Sequence, residues 1–273
     1  MSVMLSLNAI RKTFNPGTAN EVRALRGVSL EIEAESFVIV VGSNGSGKST
    51  LLNAVAGSFL LDEGSITIAG QEVTRWPEHR RAKLIGRVFQ NPFSGTAPAM
   101  SIAENFAVAA RRGQPRGLSW ALSHRMHAAI RDRVQGLRSG MDDRLDNAIG
   151  SLSGGQRQAL TLLMATWLAP KLLLLDEHTA ALDPKSADKV IELTREVVER
   201  QRLTTLMVTH SMQQAVNLGD RLIMMHKGEV FSDVRGAEKK RLRVDDLLAR
   251  FDAVRRRECL DDSAAELLRK TYV

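Results

Sequence analysis

Cysteine and long apolar runs are both scarce in this chain. A single cysteine, Cys259, stands among 273 residues, so no intrachain disulfide can form and a reducing compartment suits the protein. No role is assigned to Cys259. The longest apolar stretch, Ala159 to Ala169, is stopped by Pro170-Lys171. That is well short of the roughly 20 apolar residues a helix needs to cross a bilayer, so any membrane process would be served peripherally. The opening stretch Met1 to Ile10 has no basic n-region and no small-residue cleavage site, and reads as a first strand rather than a signal peptide. Aromatics make up only 4% of the residues; otherwise the composition is that of an ordinary globular protein. A net charge of +7 accommodates phosphate ligands, anionic lipid, nucleic acid or merely a solvated basic surface. No specific nucleic-acid partner is expected.

What is present centres on Gly42-Ser43-Asn44-Gly45-Ser46-Gly47-Lys48-Ser49-Thr50. It follows the apolar run Phe37 to Val41 and precedes Leu51 to Gly57, giving a buried strand, a glycine-rich turn and a helix. Glycines let successive backbone N–H groups converge on an anion, and the helix adds free N–H groups and its positive dipole end. In such a loop Lys48 supplies a mobile charge for the β- and γ-phosphates and Ser49 a hydroxyl for Mg²⁺.

Residues 3–40 read as a β-rich opening, followed by short strands at Gly64–Gly70 and Leu84–Gln90. From 92 to about 150 the texture turns helical. Ser101-Ile102-Ala103-Glu104 has capping-box spacing, a second helix is expected from about Ser119 to Ser139, and the many arginines there read as a solvated face. Ser151 to Gln156 precedes an apolar helix running to Leu168. Leu172 to Leu175 is a buried strand ending in Asp176-Glu177, Asp183-Pro184 opens a helix as N-cap and first position, and Thr205 to Thr209 is a buried strand ending at His210. This alternation makes a parallel α/β core with ligands at the carboxyl ends of its strands. Val244, Leu247, Leu248, Phe251 and Val254 share one face of a C-terminal helix.

A lone carboxylate at the end of a buried strand is costly unless it meets a cation, so Asp176 is expected to serve Mg²⁺, directly or through water. Glu177, pointing to the other side of the strand end, could polarise the water that attacks the γ-phosphate, and His210 could contact that phosphate or hold the water.

The string Leu152-Ser153-Gly154-Gly155-Gln156 narrows the class. With the phosphate loop, Gln90, Asp176-Glu177, Asp183 and His210 in order, the chain resembles the ATP-binding cassette ATPases, the nucleotide-binding subunits of ABC transporters. The resemblance covers residues 3 to about 234. It implies a P-loop NTPase fold of class α/β, with a mostly parallel core sheet, an N-terminal antiparallel β subdomain and an inserted α-helical subdomain at about 92–160. One domain would span 1–240, with an amphipathic helical extension at 241–273. It further implies that Phe14 stacks on adenine, that Gln90 touches Mg²⁺ and the attacking water, and that Asp183 lies in a loop crossing a dimer interface. Ser153, Gly154, Gly155 and Gln156 of a second, head-to-tail copy would close over the ATP. His178 departs from the family, where proline is common, and Phe14 replaces the commoner tyrosine.

The expected partners are a second copy, transmembrane permease subunits and a separate solute-binding protein, at the cytoplasmic face of a bacterial inner membrane. The segments Gly95 to Asn105 and Glu177 to Pro184 resemble a subgroup of uptake ATPases, some assigned to aromatic amino acids. A soluble cassette ATPase of iron–sulfur assembly and the ATPase of a split-chain exporter remain alternatives.

Overall fold

The computed structural model describes residues 2–114, 122–137, 140–254 and 256. Cys259, and the ends of the helix expected from Ser119 to Ser139, lie outside them.

The chain opens with a long hairpin, β1 (Val3–Phe14) and β2 (Val22–Glu33), and enters the core along β3 (Phe37–Gly42). Helix α1 (Lys48–Ala56) follows, then β4 (Glu63–Ile68), β5 (Gln71–Glu72), the single turn α2 (Glu78–Arg81) and β6 (Ile85–Val88). The helical region holds α3 (Ile102–Ala110), α4 (His124–Gln135) and α5 (Gly154–Ala165). The core resumes with β7 (Leu172–Asp176), α6 (Pro184–Gln201), β8 (Thr204–Val208) and α7 (Met212–Asn217). It finishes with β9 (Arg221–His226), β10 (Glu229–Arg235) and α8 (Gly236–Arg241), after which residues 244–254 are helical.

Two sheets result. An antiparallel sheet runs β2-β1-β4-β5, and a six-stranded sheet runs β10-β9-β3-β8-β7-β6, parallel except at β10. The central strands are apolar without alternation because both faces are covered. Ile39, Val41, Leu173, Leu175 and Met207 pack with α5, while Val38, Val40, Leu172, Leu174 and Leu206 pack with α1 and the antiparallel sheet. Side chains alternate faces along a strand, so one apolar run feeds both cores.

The helix starts follow the sequence. Ser101 and Ser153 each form a complete capping box, with Glu104 and Gln156 respectively, and Asp183 caps α6 ahead of Pro184. Three arginines of the helical region depart from expectation, while Arg125, Arg131 and Arg144 stay exposed as expected. Instead of a solvated face, Arg112 donates to the Ala165 carbonyl at 2.9 Å and Arg133 to that of Thr166 at 3.0 Å, at the carboxyl end of α5. Arg157 is buried and donates to the carbonyls of Ile149, Gly150 and Leu152. Orphan carbonyls at helix and turn ends need donors, and long guanidinium stems reach them from elsewhere in the chain. At the C-terminal end, Leu242 and Leu247 sit in the same core as Leu218 and Met224, and Phe251 stacks edge-on to Phe231. Leu248, on the expected apolar face, stays exposed.

Candidate nucleotide site

Sheet order explains how distant residues meet. The neighbouring strands β3, β8, β7 and β6 all run the same way, so their carboxyl ends form one row. The phosphate loop, His210, Asp176-Glu177 and Gln90 follow those four ends in that order.

Two of the loop's glycines are required for distinct reasons. A Cβ on Gly42 would lie 2.4 Å from both the Met225 carbonyl and Ser46 Oγ, so only hydrogen fits. Gly47 has φ 96° and stands as the N-cap of α1 without a side-chain cap, leaving the first N–H groups of that helix facing out of the loop. Lys48 is buried. Its ammonium donates to the carbonyls of Gly42 at 2.9 Å and Ser43 at 3.0 Å. Burial lowers its pKa, and the nearby carboxylates of Glu177 and Asp176 oppose that shift.

The two carboxylates at the end of β7 serve different neighbours. Asp176 accepts from the Ser49 hydroxyl at 3.2 Å through one oxygen and lies 3.9 Å from the Arg87 guanidinium through the other. Burial raises its pKa, with Arg87 and Ser49 pulling the other way. Glu177 turns instead toward His210, its carboxylate 3.2 Å from Nδ1. Glu177 adopts φ 43°, a left-handed conformation uncommon outside glycine, held by its N–H on the Val208 carbonyl and by Ala180 N–H on its own carbonyl.

A hydroxyl and a carboxylate oxygen 3.2 Å apart are hard donors. Among the described residues no cluster of three or more His, Cys, Asp or Glu side chains forms a metal cage. That donor set fits Mg²⁺, which keeps waters and substrate phosphates in its shell rather than demanding an all-protein site.

Other expected residues lie at the margins. Phe14 pairs across the hairpin with Val22, two residues before Ala24, whose carbonyl lies where a Cβ on Gly47 would have to go. Its ring meets Phe59 edge-on, with Lys12 Nζ 5.7 Å from its centroid. Gln90 is exposed just beyond β6, and Gln158 of α5 anchors the loop by donating to the Phe89 carbonyl at 2.9 Å. Asp183 accepts from Ser186 N–H at 3.0 Å, and the Ser186 side chain first, with that N–H second, holds its carboxyl below the usual range. Ser153 to Gln156 stand apart from the loop: Gly154 and Gly155 approach Leu182 and Ser186 instead.

Two residues carry no signal in the motifs, and a third, His178, is marked there only as a departure from the family. Arg87 interrupts a buried strand and binds Asn53, Ser58 and Glu78 besides Asp176; a charge inside an apolar run was its available signal. Arg81, fully buried, caps α1 from outside that helix, through the carbonyls of Ala54 and Val55. His178 is also buried. Its Nε2 lies 3.0 Å from Thr194 Oγ1, and that hydroxyl already donates to Val190, so Nε2 carries the proton.

A glycine-rich loop between strand and helix, with Lys48, Ser49 and Asp176 around it, defines a P-loop nucleotide triphosphatase. The model of the ABC transporter family matches residues 25–180, and the chain belongs to that family. The tyrosine transport ATP-binding protein of Clostridioides difficile is 43% identical over 91% of this chain and 99% of its own length. The lipoprotein-releasing system ATP-binding protein LolD 1 of Caulobacter vibrioides is 34% identical over 86% of this chain and 97% of its own. Among solved structures, a dimeric post-hydrolysis ATP-binding cassette bound to ADP and phosphate superposes with a TM-score of 0.73 at 27% identity. That match covers 85% of this chain and 98% of the other. The chain is an ATP-binding cassette ATPase, and among its described residues no helix is long and apolar enough to cross a membrane.

Proposed function

We propose that this ATPase energises a bacterial importer by closing head to tail with a second copy over two ATP molecules. The carrying observation is the separation within one chain: the phosphate loop lies at the strand ends, whereas Ser153 to Gln156 begin a helix that packs on Leu182 and Ser186. An uncovered γ-phosphate would then be met by the Ser153-Gly154-Gly155 backbone of the other copy. Within each half, Gly42 to Thr50 cradle the phosphates, with Lys48 released from the loop carbonyls toward them, and Phe14 stacks on adenine. Ser49, Asp176 and Gln90 would hold Mg²⁺, which neutralises phosphate charge. Glu177 takes the proton of the attacking water, His210 orients Glu177 and the γ-phosphate, and Asp183 spans the interface.

A cavity of about 560 Å³ next to the Gln90 loop, with Phe89, Met100, Val108 and Met164 on its apolar wall and Glu78, Arg87 and Arg112 among its lining, suits an amphipathic permease helix. This would place the chain on permease subunits at the cytoplasmic face of an inner membrane, in a system with its own solute-binding protein. The tyrosine-transport relative supports an aromatic amino acid as cargo. The lipoprotein-releasing relative keeps an outward-acting system as a second reading.

Glu177→Gln tests the core of this reading. It should keep ATP binding, lose roughly 10²–10⁴-fold in turnover and shift from monomer to dimer with ATP on size-exclusion chromatography. Near-normal hydrolysis, or a variant that stays monomeric with saturating ATP, would overturn it. Purification from native membranes with identification of the co-purifying chains tests the transport assignment.

A further inference from the structure

The Glu177–His210 pair is not held by the sheet alone. The ladder between β7 and β8 ends at Asp176–Val208, followed only by Glu177 N–H on the Val208 carbonyl. The His210 side chain is 57% exposed, so packing does little to fix it. Its place depends on the backbone at Thr209 and Ser211.

That backbone is governed by α7, the helix that follows directly. Gln214 accepts from the Thr209 hydroxyl at 2.7 Å and donates to the Thr179 hydroxyl at 3.1 Å, bridging the two strand ends just past Glu177 and just before His210. One amide orientation satisfies both bonds. Thr209 Oγ1 also accepts from Ser211 N–H, and Ser211 Oγ from Gln214 N–H, so His210 is framed on both sides. The far end of α7 is held by the C-terminal segment. Lys239, buried in α8, donates to the Val216 carbonyl at 2.8 Å. Behind it Leu242 and Leu247 share the core with Ala215 and Leu218, and Arg250 binds Glu238 at 2.6 Å. A continuous chain of contacts thus runs from the C-terminal segment through α7 to both residues of the pair.

We propose that α7 is the positioning element of the Glu177–His210 pair, and that the C-terminal segment sets turnover by holding α7 through Lys239. The inference rests on the catalytic reading of Glu177 and His210 given above. It makes Gln214 and Lys239 positioning residues: they reach neither nucleotide nor attacking water, and their loss displaces the pair while the phosphate loop stays formed.

The test is a double-mutant cycle on the full chain, reading kcat, ATP affinity and the His210 imidazole resonances by NMR. Gln214→Leu should lower kcat about 10-fold and Lys239→Met about 5-fold, with ATP Kd within about twofold and shifted His210 signals. The double variant should fall no further than Gln214→Leu alone, because both act through α7. Lys239→Arg, which keeps a donor at that carbonyl, should recover most of the rate. Multiplying losses, Kd weakening in step with kcat, or unmoved His210 resonances would each overturn the proposal. Gln214 is only partly buried, so Gln214→Leu tests the inference even if Lys239→Met does not fold. Glu177→Gln is run alongside. If it hydrolyses normally, the catalytic reading fails; if it is inactive while Gln214→Leu and Lys239→Met turn over normally, this inference alone fails.

Discussion

Helices α1 and α5 are given the same task in the proposed dimer, meeting phosphate with their amino ends, yet they begin differently. At α1 the N-cap is Gly47 in a left-handed conformation with no side-chain cap, so its first N–H groups are kept for a ligand. At α5 Ser153 and Gln156 satisfy each other in a capping box. In the proposed dimer the first serves as an open anion site; the second is a self-sufficient helix end that keeps its shape without a ligand and still offers a positive dipole end. Their carboxyl ends are alike. Neither helix carries a basic residue in its last turn, and both borrow arginines from elsewhere: Arg81 for α1, Arg112 and Arg133 for α5. A helix with anions at its amino end and guanidinium at its carboxyl end is stabilised at both poles.

The largest expected effect separates the amino ends. Lys48→Ala should weaken ATP binding by about 100-fold or more, since a charge-assisted contact worth about 3 kcal/mol is lost from the α1 site. Calorimetric titration of the single chain with ATP reads this directly. Unchanged affinity would remove α1 from the phosphate role.

The carboxyl ends give the next contrast. Arg81 is 1% exposed and makes four hydrogen bonds to backbone carbonyls, including those of Thr74 and Trp76. Burial lowers its pKa to about 10, so it remains charged at neutral pH. Arg81→Met should cost about 2–3 kcal/mol by leaving those carbonyls unpaired, whereas Arg112→Met should cost about 1 kcal/mol because it frees a single carbonyl, that of Ala165. Urea denaturation compares them, and equal losses would show that the number of carbonyls served does not set the cost.

The source of a pH dependence is buried against α6. His178, tied to Thr194 of α6, is held neutral by burial with its pKa lowered from 6.5 to about 4. Between those values the unfolded chain binds the extra proton, so stability is intact above pH 6.5 and declines as pH falls toward 4. From pH 7 to pH 5 the loss should be on the order of 1–2 kcal/mol and should shrink in His178→Gln. An identical decline in that variant would assign the acid sensitivity to other groups.

The smallest effect is Ser153→Ala. It should remove about 1 kcal/mol of cap stability and leave the single chain's ATP affinity unchanged, in contrast to Lys48→Ala. A loss of affinity there would place Ser153 in its own chain's site and break the comparison between the two helices.

The motifs were legible because each is local. Gly42 to Thr50, the Ser101 and Asp183 caps and the buried runs before Asp176 and His210 carry their chemistry in consecutive residues. Arg81, Gln214 and Lys239 were illegible because their partners lie on other elements. The two α1 carbonyls that Arg81 caps are 27 and 26 residues away, and the acceptor of Lys239 is 23 away. Arg112 and Arg133, which composition offers to solvent, are helix caps for the same reason: a carbonyl left over at a helix end exists only once the helix has been placed.

By itself the sequence determined the phosphate loop, the caps and the apolar runs, because backbone conformation and side-chain periodicity act over a few residues. Only the tertiary structure decided which strand ends stand side by side, that Asp176 turns to Ser49 while Glu177 turns to His210, and that the C-terminal segment grips α7. Those outcomes depend on strand order and on long side chains crossing between elements, which no local pattern encodes.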